Sequence, residues 1–364
     1  MKIVFVSGSL RGGGAERVLS LLANEFSMRH HNVTVITKAP ECDYILNEKV
    51  KWKPIFRKDE IKTSAIDKIS RRFKYLPRLF ASIKSEKPDL IISFLVGMNG
   101  KIILISRLLN IPVIVSEHTN HRADMNLLSW IERRWVYKLA DAVTVLTKYD
   151  YNNYYAHFLK NVYVMPNPVS FTPVDALSQR EKIILVSGNL NRWSIKGFDN
   201  LLKLFSNVVT AYPDWKLKIA GSGEEGKKYL MQLANELNIQ DNVEFLGFCP
   251  NIDEVMQQSS IFVLSSRYEG FGMVLVEAMS QGCPCISFDC TAGPNEIIRN
   301  GVDGILVEDQ NMQQMECEII RLIEDDKLCK ELALNAIKNI QRFSVQKIAD
   351  KWIELINKVV ENHK

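Results

Sequence analysis

Short runs of β-branched residues alternate with helix-like periodicity along almost the whole chain, and this repetition limits the possible folds more than any other feature. Strands separated by helices form βαβ units, whose neighbouring strands run parallel. The segments predicted as strands are 2–7, 33–37, 89–95, 112–116, 142–147, 161–165, 182–188, 215–221, 242–247, 261–266, 284–288 and 304–307. The pattern therefore predicts an α/β protein with doubly wound, Rossmann-like sheets.

The alternation is interrupted once, at Pro166-Asn167-Pro168, where a stretch rich in Ser, Thr, Asp and Gln follows. Proline and polar clusters of this kind are typical of linkers. Because 364 residues also exceed one domain of ordinary size, we predict two domains, at residues 1–168 and 176–344. A C-terminal helix at about 345–364 is expected to pack back onto the first domain.

Charge is distributed unevenly between the two halves. Residues 1–172 contain 26 Lys and Arg against 15 Asp and Glu, whereas residues 173–364 contain 20 against 27. This asymmetry indicates an anionic partner for the first half.

The cysteines and the hydropathy of the chain indicate the cellular compartment in which the protein is expected. The seven cysteines form no C-x-x-C pair, so we expect free thiols in a reducing compartment. No window reaches the roughly 18 apolar residues that a spanning helix needs. We therefore expect a cytoplasmic protein that is at most peripheral on the inner face of the cell membrane.

Glycine-rich turns follow several of the predicted strands, where open α/β sheets bind their ligands. Gly13 and Gly14 lie between the first strand and a helix, and Gly221 and Gly223 precede another helix. Backbone N–H groups in such turns can receive an anion. A tight turn into a helix explains each of these sequences equally well.

Two further loops carry candidate polar side chains. Arg192 and Lys196 follow the first strand of the second domain and could clamp a diphosphate, although a solvated basic turn is the alternative. Glu117, His118 and His121 follow the strand at 112–116, where a histidine can bind a phosphate or a sugar hydroxyl. A structural or merely exposed histidine is the alternative there.

Several motifs of common enzymes are missing from the sequence. It has no H-E-x-x-H, no Walker lysine loop and no G-x-S-x-G elbow. Metalloprotease, P-loop and serine-hydrolase chemistry therefore lose their best support.

The motifs taken together resemble a known family. GGGAERV, SEH, NRWSIKGFDNLL, AGSGEE, VEFLGF, SSRYEGFGMVLVEAMSQGCPCI and GPNEIIRNGVDGILV are similar to the bacterial retaining glycosyltransferases of family 4. The most specific element is E-x7-E, from Glu269 to Glu277. The resemblance implies the GT-B fold, in which two Rossmann-like domains face a central cleft.

The resemblance also implies donor contacts in the second domain. Glu269 would hold hydroxyls of the donor sugar, and Glu277 would accept both ribose hydroxyls of the nucleotide. Lys196 would bind the diphosphate. The remaining implied donor contacts are the N–H groups of Gly272, Met273 and Val274 at the diphosphate, Phe248 at the base, and the turns containing Gly221 and Gly223.

In the first domain, the resemblance implies that His118 lies near the transferred sugar and its phosphate. Gly13 and Gly14 match the loop that approaches the diphosphate from the opposite side. One position departs from the family pattern: Asn189 stands where an arginine is usual, and Arg192 is a hypothetical replacement.

The implied reaction is retaining and needs no cofactor or essential metal ion. The leaving diphosphate helps to remove the acceptor proton, and the enzyme stabilises the developing charge. No DxD motif occurs in the sequence, which agrees with the absence of a carboxylate-bound metal. The donor expected from the resemblance is a UDP-linked hexose or N-acetylhexosamine.

The expected acceptor is a glycan or a polyprenyl-diphosphate-linked glycan. Residues 57–87 contain ten Lys and Arg against four Asp and Glu, interleaved with aromatic and leucine residues. That composition suits a helix on anionic lipid. An ordinary amphipathic helix whose apolar side is core is the alternative.

Two other functions stay open at this point. A nucleotide-sugar epimerase can share the GT-B fold, and it would convert the donor without an acceptor. A nucleic-acid-binding protein could use the basic half, but its basic and aromatic residues match no stacking module, so no nucleic acid is expected.

Overall fold

The computed structural model describes residues 1–60, 65–119 and 126–363, and within 65–72 it describes the backbone alone. The chain forms two compact units. The first comprises Met1–Ser170 together with the segment that begins at Ser344, and the second is Phe171–Phe343. The chain thus passes from one unit to the other between the predicted boundaries at 168 and 176.

The first unit is built on a parallel sheet of seven strands. Its strands are β1 (Lys2–Ser7), β2 (Asn32–Thr37), β3 (Lys51–Pro54), β4 (Leu90–Phe94), β5 (Val113–Ser116), β6 (Ala142–Val145) and β7 (Val162–Val164). Their order across the sheet is β3-β2-β1-β4-β5-β6-β7. The central strands are almost wholly buried because their β-branched side chains meet helices on both faces.

Strand β3, KWKP, is absent from the sequence prediction. It pairs only with β2, in the register Thr34 with Lys51, and lies at the edge of the sheet. An edge strand exposes one side, so its two lysines and its proline are tolerated. The same residues explain why β3 was not predicted from the sequence.

In the described part of the chain, five helices of the first unit precede the second unit. They are α1 (Gly14–Met28), α2 (Ala65–Glu86), α3 (Asn99–Leu109), α4 (Leu127–Trp135) and α5 (Lys148–Asn153). A 3-10 turn, Val136–Leu139, continues α4. Side chains from α2, α3 and this turn join the strands in one apolar core.

The second unit is built on a parallel sheet of six strands. They are β8 (Glu181–Ser187), β9 (Lys216–Ala220), β10 (Val243–Gly247), β11 (Ser259–Leu264), β12 (Cys285–Phe288) and β13 (Ile305–Val307). Their order is β10-β9-β8-β11-β12-β13. Each matches a predicted strand, and the α/β fold class is confirmed.

Helices surround this second sheet, and a final helix returns to the first unit. Those of the second unit are α6 (Trp193–Lys196), α7 (Phe198–Ala211), α8 (Glu224–Glu236), α9 (Ile252–Gln258), α10 (Met273–Ser280), α11 (Pro294–Ile297), α12 (Met312–Glu324) and α13 (Asp326–Ile340). Helix α14 (Val345–His363) belongs to the first unit, where Arg29 Nη1 lies 2.5 Å from Asp350 Oδ1. Among the described helices, none combines the length and apolar composition required to span a bilayer.

Candidate functional site

The loops after β8 and β11 pack against each other in the second unit. Gly197 has φ +65°, and a Cβ there would lie 1.9 Å from the Ser265 carbonyl oxygen, so only glycine fits. Ser265 Oγ donates to the Lys196 carbonyl oxygen at 2.9 Å, and the Arg267 amide donates to the Ile195 carbonyl oxygen at 2.8 Å. This backbone contact brings the two predicted loops together.

An ion pair joins Lys196 and Glu269 across these loops. Lys196 Nζ lies 2.7 Å from Glu269 Oε1, and the Ser266 hydroxyl donates to the same oxygen at 2.6 Å. The Lys196 side chain retains 17% of its exposure and that of Glu269 retains 9%. The lysine therefore remains reachable from solvent while the carboxylate is held in place.

Arg267 reinforces this arrangement with a two-pronged ion pair. Its Nη1 and Nη2 lie 2.9 and 3.0 Å from the two carboxylate oxygens of Asp199, on the first turn of α7. Such bidentate pairs fix geometry as well as adding energy. The sequence patterns did not indicate Ser266, Arg267 or Asp199. The S-S-R sequence directly before Tyr268-Glu269 could have indicated the first two.

Helix α10 begins at the end of the same loop. Gly272 caps it with φ +96°, a left-handed conformation that favours glycine, and Met273 and Val274 are its first residues. The first N–H groups of a helix have no acceptor within the helix and suit an anion. Glu277, one turn further, is only 7% exposed among Val276 and other apolar neighbours.

Gly221 and Gly223 have a packing role in the structure. A Cβ at Gly221 would lie 1.8 Å from the Gly188 carbonyl oxygen, and one at Gly223 would lie 2.5 Å from the Asn191 amide nitrogen. The Leu190 amide also donates to the Ser222 carbonyl oxygen at 2.8 Å. These glycines let the turn after β9 lie against the turn after β8, and their contact with a donor stays a prediction.

The position that departs from the family pattern has a structural role of its own. Asn189 precedes a 3-10 turn, and its side chain accepts a hydrogen bond from the Asn191 amide at 2.9 Å. Arg192 ends that turn and is exposed. Phe248 follows β10 and is 75% exposed, so its ring is available for stacking on a planar group.

In the first unit, the glycine-rich turn after β1 leads directly into α1. Gly13 is its N-cap, and the Tyr44 hydroxyl donates to the Gly13 carbonyl oxygen at 2.8 Å. Gly14 is the first helical residue. Burial raises the pKa of nearby Glu16.

His118 lies just beyond β5, with its ring stacked on Phe94 at a centroid distance of 4.8 Å. The Ser116 hydroxyl is 3.0 Å from Nε2 and accepts from Thr144 Oγ1 at 2.8 Å, which favours the tautomer with its proton on Nδ1. Although part of the ring reaches solvent, the atoms packed around it lower the pKa of His118 to about 3. The ring is therefore neutral near pH 7.

Glu117, next to His118, is enclosed by a buried polar cluster. Its Oε2 accepts from Arg133 Nε at 2.5 Å and from the Tyr155 hydroxyl at 2.6 Å. Burial raises the pKa of Glu117, and Arg133 opposes that rise. Burial alone would lower the pKa of Arg133, but Glu117 raises it above its usual value. His121, the other predicted histidine of this loop, lies outside the described residues.

Comparison with known proteins identifies the family. Sequence profiles for Glycosyltransferase Family 4 and for Glycosyl transferases group 1 match residues 12–172 and 172–339. An alpha-1,4-N-acetyl-D-galactosaminyltransferase of Campylobacter jejuni is 30% identical over 366 residues, which cover 99% of each chain. This chain belongs to glycosyltransferase family 4.

Another relative agrees with this assignment, and solved structures share the fold. The amylovoran biosynthesis glycosyltransferase AmsD of Erwinia amylovora is 29% identical, over 98% of this chain and 99% of its own. Sucrose-phosphate synthase of Thermosynechococcus elongatus superposes with a TM-score of 0.83 and 18% identity over all of both chains. HepE of Anabaena, crystallised with UDP and glucose, gives 0.77 and 20% identity over 98% of this chain and 99% of its own. The predicted GT-B fold is confirmed.

The predicted residues of this family 4 glycosyltransferase fall into two groups. In the second unit, Lys196 contacts Glu269, Gly272 caps helix α10, which begins four residues after Glu269, and Glu277 lies within that helix. In the first unit, His118 lies at the end of β5 and Gly13 at the start of α1. No cluster of three or more His, Cys, Asp and Glu suited to a metal ion occurs in the part of the chain that the structure describes.

Proposed function

We propose that the protein is a retaining glycosyltransferase that moves a hexose or N-acetylhexosamine from a nucleotide sugar to a glycan acceptor. The observation that carries this proposal is the arrangement in the second unit, where the Lys196–Glu269 ion pair immediately precedes a helix N-terminus and a buried glutamate. Along the chain, Glu269, the amides at the start of α10 and Glu277 follow the order of sugar, diphosphate and ribose in a nucleotide sugar.

Each group has a role that its surroundings support. Lys196 is solvent-accessible and would exchange part of its contact with Glu269 for the diphosphate, with Arg192 as a second cation. Glu269, held by Ser266, would accept hydroxyls of the sugar. Glu277 would accept the ribose hydroxyls, which supply donors to a carboxylate in an apolar setting.

The identities of nucleotide and acceptor rest on related proteins. HepE was crystallised with UDP and glucose, which supports a UDP sugar. The name of the Campylobacter jejuni relative describes a PP-undecaprenol substrate, and that of AmsD describes the biosynthesis of amylovoran. We therefore infer a polyprenyl-diphosphate-linked acceptor in the assembly of a polysaccharide or a related glycan.

In the proposed reaction the bond between the anomeric carbon and the β-phosphate oxygen breaks. The acceptor hydroxyl oxygen forms its bond to that carbon on the same face, and its proton passes to an oxygen of the leaving diphosphate. Lys196 and the N–H groups at the start of α10 stabilise the charge that develops there. His118 is neutral near pH 7, so it contributes a hydrogen bond from Nδ1 and no positive charge.

Product analysis tests the reaction. Purified protein is incubated with a panel of nucleotide sugars and polyprenyl-diphosphate-linked glycans, and the anomeric configuration of the product is read by NMR. An α-linked donor must give an α-linked product, and a β product would overturn retention. A donor incubated without acceptor must stay unepimerised; a new sugar nucleotide would favour an epimerase.

Variants of the two glutamates test their separate roles. Glu277→Ala is expected to weaken UDP binding about tenfold or more because it removes charge-assisted hydrogen bonds. Glu269→Ala is expected to lower kcat with little change in UDP affinity. UDP affinity is measured by calorimetry, with Glu331→Ala on the exposed side of α13 as the control. Similar small effects of both changes would refute the assigned roles.

A further inference from the structure

Helix α4 of the first unit turns its apolar side outward. Ser129 and Arg133 are buried, at 6% and 1% exposure, whereas Leu128 is 78% exposed and Trp135 is 59% exposed. The other outward residues are Leu127, Trp130 and Ile131. A surface helix of a globular protein normally has the opposite arrangement, with apolar residues facing the core.

Polar contacts fix this orientation. Arg133 Nε lies 2.5 Å from the buried Glu117, and Glu132 accepts from the amides of Gly97 and Gly100 at 2.7 to 3.2 Å. Rotating α4 to bury its leucines would leave Glu117 without Arg133, and removing one partner of a buried pair is strongly destabilising. The outward apolar side is therefore built into the packing of the unit.

Neighbouring segments extend the exposed apolar surface. Leu104 and Leu108 on α3 are 53% and 77% exposed, and Leu139, which ends the turn after α4, is 46% exposed. Arg107 Nε donates to the Leu139 carbonyl oxygen at 2.7 Å, so these two segments are in direct contact. We call the outward side chains of α3, α4 and the turn Val136–Leu139 the α3–α4 face.

The charges of the α3–α4 face are all positive. Lys101, Arg107 and Lys138 are exposed, and Arg107 Nη2 lies 3.4 Å from Asp141 Oδ1, just after the turn. Lys138 Nζ lies 4.9 Å from the centre of the Trp135 ring. The one acidic residue of α3, α4 and the turn is Glu132, whose carboxylate is used internally by Gly97 and Gly100. Tryptophan and leucine interleaved with lysine and arginine is the composition of helices that lie in the interface of anionic membranes.

We propose that the α3–α4 face docks the protein on an anionic lipid surface. Leu128, Trp130 and Trp135 would enter the boundary between headgroups and acyl chains, while Lys101 and Lys138 contact lipid phosphates. This inference rests on the proposed function in one respect, since a lipid-linked acceptor is what makes membrane docking useful. It places the docking on α3 and α4 instead of the segment 57–87 predicted from sequence.

Helix α2, in that predicted segment, has a different apolar side. Its Tyr75, Leu79 and Ile83 are buried in the core, at 7%, 0% and 0% exposure, while Phe73 and Leu76 are exposed. The side chains of Arg71 and Arg72, within the predicted segment 57–87, lie outside the described residues. Phe73 and Leu76 therefore provide a control pair on a second exposed surface.

Vesicle flotation tests the proposal with the full-length protein. Wild type is expected to bind vesicles of phosphatidylglycerol and phosphatidylcholine, and to bind phosphatidylcholine alone weakly. Leu128→Glu with Trp135→Glu should lower partitioning at least about tenfold, because both charges would have to enter the interface. Phe73→Glu with Leu76→Glu changes the net charge equally and should retain most of the binding.

Two further measurements separate the possible outcomes. UDP binding should be unchanged in both double variants. A wild-type protein that binds UDP but does not bind the anionic vesicles would overturn docking and leave the donor assignment intact. A wild-type protein that binds the vesicles but not UDP would support docking and contradict the donor assignment. A dimeric wild type that Leu128→Glu with Trp135→Glu makes monomeric, with no vesicle binding, would show that the face covers a second copy and overturn the proposal.

Discussion

Each unit has a buried glutamate paired with a cation near the carboxyl end of a strand, but the two pairs differ in their access to water. Arg133 and Glu117 retain 1% and 2% of their side-chain exposure, and Tyr155 occupies a third position. Lys196 and Glu269 retain 17% and 9%. Protein alone surrounds the first pair, whereas solvent reaches the second.

This difference separates a structural pair from one suited to ligand exchange. A lysine with an accessible ammonium can transfer a contact from a carboxylate to an incoming phosphate at small cost. An arginine enclosed by protein cannot transfer its contact without leaving a buried carboxylate unpaired. We therefore propose that Arg133–Glu117 stabilises the unit and positions the loop that carries His118, and that Lys196–Glu269 binds the donor.

The largest effect is expected from breaking the enclosed pair. Arg133→Met should lower the free energy of unfolding by about 3–5 kcal/mol, because Glu117 would be left buried without its charge partner. Urea denaturation monitored by tryptophan fluorescence measures this loss. The double variant Arg133→Met with Glu117→Gln should recover part of it, and a loss below about 1 kcal/mol in the single variant would contradict the structural role.

The accessible pair is expected to show a catalytic effect instead. Lys196→Met should lower kcat/KM about 10²–10³-fold, since it removes a cation from the developing diphosphate charge. Its stability loss should be smaller than that of Arg133→Met, because solvent and Ser266 still reach Glu269. Lys182→Met, at an exposed ion pair in the same unit, serves as the matched control. Equal loss of activity in both variants would remove the special role of Lys196.

The smallest effect is expected in the pH dependence of stability, from His118. This neutral group of the first unit contrasts with the charged Lys196–Glu269 pair of the second. The folded pKa of His118 is lowered to about 3 from 6.5. Below pH 6.5 the unfolded state therefore binds more protons than the folded state, and folding stability decreases as the pH is lowered. Between pH 7 and pH 5, wild type should lose about 2 kcal/mol more stability than His118→Asn. Parallel stability curves for the two proteins would contradict a neutral His118.

Much of the architecture follows from local sequence patterns. The strands of both sheets, apart from β3, have short β-branched runs, and the break between the units coincides with a proline-rich, polar stretch. These signals are local because burial on both faces of a parallel strand requires apolar residues in succession. The placement of Glu269 in a loop and Glu277 one turn into a helix was instead implied by the family resemblance.

Tertiary structure decided the properties that depend on distant residues. The packing role of Gly221 depends on a carbonyl group 33 positions earlier, and the Arg267–Asp199 pair spans 68 positions. Helix α4 shows the same limit, since its apolar periodicity predicts a buried side. The buried charge of Glu117 instead holds its polar side inward, because leaving that carboxylate unpaired would cost more than leaving the leucines exposed.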